Sequence, residues 1–226
     1  MTGTTLIVPG FHGSGPGHWQ TWLEAELRNS RRVAGIGWDE PVLADWAVAV
    51  ECEIQRAAEP VWLVAHSFGC LATIAAVARL ADRASARVAG ALLVAPADPD
   101  RFSSAGLRPE GSADCESIAV HLPQRPLGLP GLVIASRNDP WMPFWKTALW
   151  ARRWRCGLAD MGAAGHINVA SGFGPWPHGL TLLHRLQREG SSGGSIHGPA
   201  SGTWNHEGAK EFGNNALLPK SPSPRQ

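Results

Sequence analysis

The stretch Val61-Trp-Leu-Val-Ala-His-Ser-Phe-Gly-Cys70 decides the fold of this 226-residue chain. It opens with the continuous apolar run Val61–Val64, which is typical of a strand buried on both faces of a parallel sheet. The Ala-rich segment Cys70–Leu80 that follows has the composition of a helix. Around Ser67, the sequence matches the strand–turn–helix motif Gly-x-Ser-x-Gly, with Ala65 in place of the first glycine.

A serine in such a turn is typical of a nucleophile presented at the edge of a sheet. The backbone turns so sharply that the residues two before and two after the serine must be small, as Ala65 and Gly69 are. The helix that begins behind the serine presents free N–H groups and the positive end of its dipole to the same place. We therefore predict that Ser67 is the nucleophile of an acyl-transfer enzyme.

Before residue 188 the chain alternates apolar runs with amphipathic segments. The predicted strands are Thr5–Val8, Val33–Ile36, Val61–Val64, Val88–Val94, Gly131–Ala135 and Cys156–Met161. The predicted helices are Trp19–Leu27, a helix capped by Asp45 that ends before Pro60, Cys70–Leu80, Trp141–Trp154 and Trp176–Gln187. Repeated β-α-β units predict an α/β fold with a mostly parallel, doubly wound sheet and helices on both faces. Segment 97–130 lacks clear periodicity, and we interpret it as a cap or a loop over a site.

The composition of the chain changes near residue 188. From Gly190 to Gln226, 17 of 37 residues are Gly, Ser or Pro. Such a segment buries too little apolar surface to offset the entropy of ordering it. We therefore predict one domain over residues 1–188 and a flexible Gly/Ser/Pro-rich tail over residues 189–226.

Charge and cysteine usage exclude several classes of protein. The formal net charge is +1, so no overall basic field favours binding to nucleic acid or to an anionic membrane. No apolar run approaches the roughly 18 residues of a membrane helix, and no basic segment precedes Leu6–Val8 as it does in a signal peptide. The cysteines, at positions 52, 70, 115 and 156, form no C-x-x-C pair and are expected to be free thiols. These observations predict a cytoplasmic protein.

Cofactor and metal motifs are weak in this sequence. Gly10 and Gly15 have the spacing of a phosphate-binding loop, but Pro16 and Gly17 stand where that loop needs a lysine and a hydroxyl residue. The chain has no H-E-x-x-H motif and no Cys/His cluster with ligand spacing. We expect no cofactor and no metal.

Two later loops carry an acid and a histidine in the chain order that a nucleophile elbow uses. A serine is a poor nucleophile until a base removes its proton, and the base is oriented by an acid. Asp139 follows the predicted strand Gly131–Ala135, and His166 follows the next predicted strand. We predict Asp139 as the acid and His166 as the base. Asp98, which follows an earlier strand, is the alternative acid.

The other histidines lack this combination of chain order and loop context. His12 and His18 lie in the first loop, before the serine. His66 adjoins Ser67, and adjacent strand residues point to opposite faces.

An acyl-transfer enzyme also needs N–H donors for the oxyanion that forms on the substrate. One donor is expected to be the amide of Phe68, which directly follows the nucleophile. The second is expected from the loop after the first strand, where Gly10 permits a sharp turn and Phe11 carries the next amide. The amide of His12 is the fallback.

Five motifs in order resemble those of one family, the small serine hydrolases related to retinoblastoma-binding protein nine. They are Val8-Pro-Gly-Phe-His-Gly-Ser-Gly15, His18-Trp19, Ala65-His-Ser-Phe-Gly69, Ser136-Arg-Asn-Asp-Pro140 and Gly165-His-Ile-Asn168. The resemblance covers about residues 4 to 188 and not the tail. It implies a compact α/β-hydrolase fold without a large cap, and a triad on Ser67, Asp139 and His166.

The expected function is hydrolysis of a small carboxylic ester through an acyl-enzyme, with an amide or a thioester as other acyl substrates. Two alternatives stay open: a non-catalytic interaction module on a hydrolase scaffold, and an acyltransferase or lyase with the same triad. The expected partner is a small acyl substrate, with neither nucleic acid nor membrane, and the sequence names no protein partner. Trp141, Trp145 and Trp176 are candidates for the pocket wall because they follow Asp139 and His166 closely.

Overall fold

A six-stranded parallel sheet forms the centre of the molecule. The computed structural model describes residues 3–109 and 116–191. Its strands are β1 Thr5–Val8, β2 Ser30–Arg32, β3 Val61–His66, β4 Val88–Val94, β5 Phe102–Ser103, β6 Gly106–Leu107, β7 Gly131–Ala135 and β8 Gly157–Asp160. The sheet has the order β2-β1-β3-β4-β7-β8, and all its pairings are parallel. Strands β5 and β6 form a separate antiparallel ribbon.

Helices cover both faces of this sheet, which confirms the predicted α/β fold. They are α1 Trp19–Glu26, α2 Leu43–Arg56, α3 Phe68–Arg79, α4 Ala84–Arg87, α5 Phe144–Trp154 and α6 Pro177–Ser191. Side chains of β3 alternate between the two faces. Leu63 and Ala65 pack in the core with α2, α3 and α5, whereas Trp62 and Val64 pack with α1 and α6. The alternation explains why a strand buried on both faces appears as an unbroken apolar run.

The predicted strand at Val33–Ile36 is wrong, because the chain pairs earlier, as β2. Arg31 lies beside Leu6 of β1, and the β2 side chains are polar. An edge strand tolerates such residues because their long side chains reach partners at the rim. The Arg31 guanidinium pairs with Glu53 of α2 at 3.0 Å. No apolar periodicity marks a strand of this kind.

Several helix boundaries also differ from those predicted. Helix α5 begins at Phe144 rather than Trp141, because Pro143 disfavours a helical conformation at the residue before it. Asp45 lies in the first turn of α2 and does not cap it; the cap residue is Val42. Helix α6 continues to Ser191, and the rest of the predicted tail lies outside the described residues. The division into a domain at 1–188 and a tail at 189–226 therefore stays a prediction.

The described part of segment 97–130 packs into the body of the protein. It contains the β5–β6 ribbon and two short 3-10 helices, Pro99–Arg101 and Ile118–His121. Phe102 and Leu122 are buried in the same core as α3 and α5. Over the described residues, the fold is therefore compact and has no large cap.

The described chain contains no helix both long and apolar enough to cross a membrane. Cys52, Cys70 and Cys156 are free thiols, as predicted, and Cys115 lies outside the described residues.

The turn after β1 and the start of α3 touch through their backbones. A Cβ added at Gly69 would collide with the carbonyl oxygen of Pro9 and would lie 2.6 Å from the carbonyl oxygen of Val8. A Cβ at Gly10 would lie 2.7 Å from the Cβ of Ser67. Both positions therefore require glycine because of close approach.

We expect Gly69→Ala to lower the free energy of unfolding by about 1–3 kcal/mol, because the added methyl meets backbone that must move. Gly15→Ala is the matched control, since nothing lies within 4 Å of a Cβ at that position. Urea unfolding followed by tryptophan fluorescence measures both. Equal stability of the two variants would contradict the close packing of the two turns.

Candidate active site

Ser67 occupies a strained turn between β3 and α3. Its φ of 53° and ψ of −125° lie outside the regions that residues with a Cβ prefer. A conformation of this kind costs about 1–3 kcal/mol and persists only where the surroundings fix it. The Ser67 amide donates to the carbonyl of Val94 at 3.1 Å, and its own carbonyl accepts from the Cys70 amide at 3.0 Å. The turn presents the hydroxyl at the carboxyl edge of the sheet.

A chain of hydrogen bonds joins Ser67 to His166 and Asp139. The distance from Ser67 Oγ to His166 Nε2 is 2.8 Å. Both carboxylate oxygens of Asp139 lie 2.9 Å from His166 Nδ1. Because a carboxylate only accepts, the Nδ1–H of the imidazole donates to it, and Nε2 is left to accept from the serine hydroxyl. The side chains of His166 and Asp139 are almost fully buried.

The loops after β7 and β8 carry the acid and the histidine, and they bond to each other. Asn138 Oδ1 accepts from the Gly165 amide at 2.7 Å, and Ser136 Oγ accepts from the Ala164 amide at 3.0 Å. The Trp141 amide donates to Asp139 Oδ1 at 2.8 Å. These bonds fix where the carboxylate and the imidazole lie relative to each other.

Asp98, the alternative acid, has other partners. Its carboxylate accepts from the ammonium of Lys146 on α5 and from the amide of Asp100. No hydrogen bond among the described residues joins it to His166. The structure therefore brings Asp139, and not Asp98, to the imidazole.

The two predicted oxyanion donors belong to the two turns that meet at Ser67. Phe68 is the first residue of α3, so its amide has no acceptor four residues earlier in the helix. The Phe11 amide follows Gly10, which packs on Ser67, and within the described chain it has no hydrogen-bond acceptor. The fallback amide of His12 is occupied, since it donates to the carbonyl of Trp38 at 2.8 Å.

Of the three tryptophans predicted for the pocket wall, Trp141 lies nearest to the histidine. Its ring centroid is 6.0 Å from that of His166, and the guanidinium of Arg101 lies over the same ring at 4.1 Å. Trp145 is exposed on α5. Trp176 is buried against Trp19 in the core with α1 and α6 and thus belongs to the packing of the fold.

Two further histidines form a row with His166: His18, which chain order argues against as the base, and His66, which strand alternation argues against. The ring of His66 lies 4.9 Å from that of His166, and the ring of His18 lies 4.9 Å from that of His66. Burial lowers the pKa of His66 well below its usual value. Burial, with the nearby charges of Arg32 and His166, lowers the pKa of His18 to about 4. Both rings are therefore neutral at neutral pH.

Gln20 connects this row of histidines to the sheet through hydrogen bonds. It is fully buried, and its side-chain amide donates to the carbonyls of Val8 and Val64 in β1 and β3. Its backbone amide donates to His18 Nδ1, which caps α1. The sequence offers one signal of this arrangement, a glutamine among the buried positions of α1. A buried amide needs polar partners, so such a glutamine predicts buried polar groups beside it.

The described residues hold no group of three or more His, Cys, Asp or Glu side chains that could bind a metal ion.

Known proteins resemble this chain over most of its length. The profile of the serine hydrolase family matches residues 5–185. YdeN of Bacillus subtilis strain 168 is 28% identical over 189 residues, which cover 78% of this chain and 92% of that protein. A solved YdeN-like protein from Pectobacterium atrosepticum is 35% identical, with a TM-score of 0.71, over 83% of this chain and 91% of that one. Thermogutta terrifontis esterase 2 is 21% identical, with a TM-score of 0.56, over 83% of each chain, and shares the fold.

The low pKa of His18 predicts a loss of stability in acid. Below about pH 6.5 this side chain binds a proton in the unfolded chain. In the folded protein it binds that proton only when the pH falls to about 4. The free energy of unfolding should therefore fall as the pH drops through this range, by up to about 3 kcal/mol from this residue.

His18→Asn isolates this contribution, because the asparagine side chain can still accept from the Gln20 amide as a helix cap. Urea unfolding at intervals between pH 7 and pH 4 should show a shallower loss of stability for the variant than for the wild type. Parallel curves for the two proteins would count against a neutral, buried His18.

Proposed function

The chain belongs to the serine hydrolase family, and we propose that it hydrolyses small carboxylic esters without a cofactor. The observation that carries this proposal is the continuous hydrogen-bonded chain from Ser67 through His166 to Asp139. A serine in a strained turn, a base that already accepts its proton and a buried carboxylate behind the base are the parts that acyl transfer needs.

In the first half of the proposed reaction, Ser67 Oγ attacks the acyl carbon of the ester while its proton passes to His166 Nε2. The buried carboxylate of Asp139 stabilises the imidazolium that forms. The amides of Phe68 and Phe11 donate to the oxyanion of the tetrahedral intermediate. When the intermediate collapses, the carbon–oxygen bond to the leaving alcohol breaks, and the alcohol takes the proton from His166. An acyl ester of Ser67 remains.

In the second half, water attacks this acyl-enzyme. His166 accepts a proton from the water, the same two amides stabilise the second oxyanion, and Ser67 leaves with the proton that His166 returns. The products are a carboxylic acid and the free enzyme. No electron transfer and no further reactant is needed.

The surroundings of the serine favour a short, apolar acyl group. Phe68, which follows the nucleophile in sequence, packs against Phe102 in the core with ring centroids 4.7 Å apart. Trp141 lies beside His166, and the described residues form no large cap over the site. An amide or a thioester would enter the same acyl chemistry.

We also propose that the chain is related to retinoblastoma-binding protein nine and that it is located in the cytoplasm. Its main partner in this proposal is a small acyl substrate.

A fluorophosphonate probe tests the proposal directly. We expect the wild type to form a covalent adduct and to hydrolyse p-nitrophenyl esters of short acids, with rates that fall as the acyl chain lengthens. Ser67→Ala should abolish both. Labelling that persists in Ser67→Ala, or a wild type that neither labels nor hydrolyses any ester in the series, would overturn the proposal. Transfer of the acyl group to an added alcohol in preference to water would identify an acyltransferase.

The choice between the two carboxylates gives a second prediction. Asp139→Asn keeps the size of the side chain but removes the charge behind His166, and kcat should fall by about 10⁴-fold. Asp98→Asn is the matched control and should change kcat by less than about tenfold, because Asp98 bonds to Lys146. The opposite ranking would assign the acid to Asp98.

A further inference from the structure

We infer that His66 is a positioning residue, which fixes the main chain of His166 through a hydrogen bond from its ring. The inference rests on the proposed function, in which His166 is the general base.

The contact itself is direct and buried. His66 Nε2 lies 3.0 Å from the carbonyl oxygen of His166, and His66 is 5% exposed. A carbonyl only accepts, so the imidazole of His66 must carry its proton on Nε2. Because His66 ends β3 and immediately precedes Ser67, one strand end holds both the nucleophile and the backbone of its base.

The loop around His166 needs such support because its backbone is strained. Gly165 has a φ of 59° and Ile167 a φ of 48°, so residues on both sides of the histidine are left-handed. Other side chains bond the neighbouring backbone: Ser171 Oγ accepts from the His166 amide at 3.0 Å, and Trp19 Nε1 donates to the Ile167 carbonyl at 2.9 Å. Asn138 and Ser136 hold the amides before His166. Only His66 bonds the His166 carbonyl among the described residues, so without His66 that carbonyl would lose the partner shown here.

His66 must be neutral as well as long enough to reach the His166 carbonyl. In the proposed transition state His166 is positive, and its ring lies 4.9 Å from that of His66. A positive His66 would oppose that charge. Burial keeps the pKa of His66 low, and the like charge that would form on His166 and on His18 lowers it further.

The groups that surround His66 are consistent with this neutral state. His18, at the start of α1, faces it on one side and has a lowered pKa of its own, while Trp19 packs on its edge. Asp139 lies on the far side of His166, and Arg32 acts on His18. No ion pair among the described residues brings a carboxylate to His66.

Two substitutions separate positioning from mere packing. Glutamine carries an N–H at about the reach of Nε2 and stays neutral, whereas leucine fills similar space with no donor. We expect His66→Leu to lower kcat by about 10- to 100-fold with KM nearly unchanged, because the base is displaced, and His66→Gln to keep kcat within about threefold of the wild type. The acid limb of the pH–rate profile should have the same slope in the wild type and in His66→Gln, because a neutral His66 takes up no proton in this range.

Equal losses of kcat in the two variants, or no loss in His66→Leu, would overturn the inference. So would an acid limb that is steeper in the wild type than in His66→Gln. Melting temperatures show whether each variant folds. If His66→Leu does not fold, His66→Asn replaces it, since its polar group is too short to reach the His166 carbonyl. It should then show the loss of kcat expected for leucine, and retention of kcat would overturn the inference.

Ring nitrogen NMR of the wild type tests the hydrogen bond without any substrate. A proton on Nε2 of His66 at pH 7, with Nδ1 bare, supports the inference, and a proton on Nδ1 alone overturns it. This measurement also distinguishes the two proposals. A wild type that shows the Nε2 tautomer but neither labels nor hydrolyses esters would overturn the proposed function while leaving the hydrogen bond intact.

Discussion

The contact between two backbone turns at the carboxyl edge of the sheet governs the rest of the structure. The turn after β1 and the turn into α3 approach so closely that Gly10 and Gly69 leave no room for a side chain. This approach accompanies the positive φ of Ser67, places Phe11 and Phe68 in the two adjoining turns, and requires β1 and β3 to be neighbours. The site is therefore built from main chain first, because only glycine lets the two turns approach so closely.

Around that contact, the side chains form two tiers with different electrical roles. The tier that contains the proposed base consists of the Asp139 carboxylate and the His166 imidazole, whose Nδ1 lies 2.9 Å from both carboxylate oxygens. The tier beneath it contains His66, His18 and Gln20, all buried and all neutral at pH 7. This neutral polar tier donates hydrogen bonds to buried carbonyls of β1, β3 and the His166 loop. It does so without placing a positive charge beside the His166 imidazole.

How much of this the sequence predicts depends on whether a feature is local or distant. Strands β1, β4 and β7 match their predicted bounds because burial on both faces makes them continuous apolar runs. The order of Ser67, Asp139 and His166 follows from chain connectivity, and the fold brings the three together. The polar edge strand β2 was missed because its side chains pair with distant carboxylates. The hydrogen bond of His66 cannot be predicted from the sequence because its partner lies 100 residues away, and periodicity indicates only which face of the sheet a residue occupies.

The separation between Ser67 and His166, 99 residues along the chain, also bears on how the molecule comes together. The elbow lies in the middle of the sheet, but the imidazole follows β8. Among the described residues β8 is the last strand in sequence, and it pairs with β7 at the far edge of the sheet. Contacts between such distant residues form slowly, since the intervening chain must first lose its freedom. In the proposed mechanism, a growing chain therefore contains Ser67 before it contains the base, and a partly folded chain lacks the group that activates the serine. The proposed activity thus depends on completion of the sheet, so that a covalent probe of Ser67 would count fully assembled molecules.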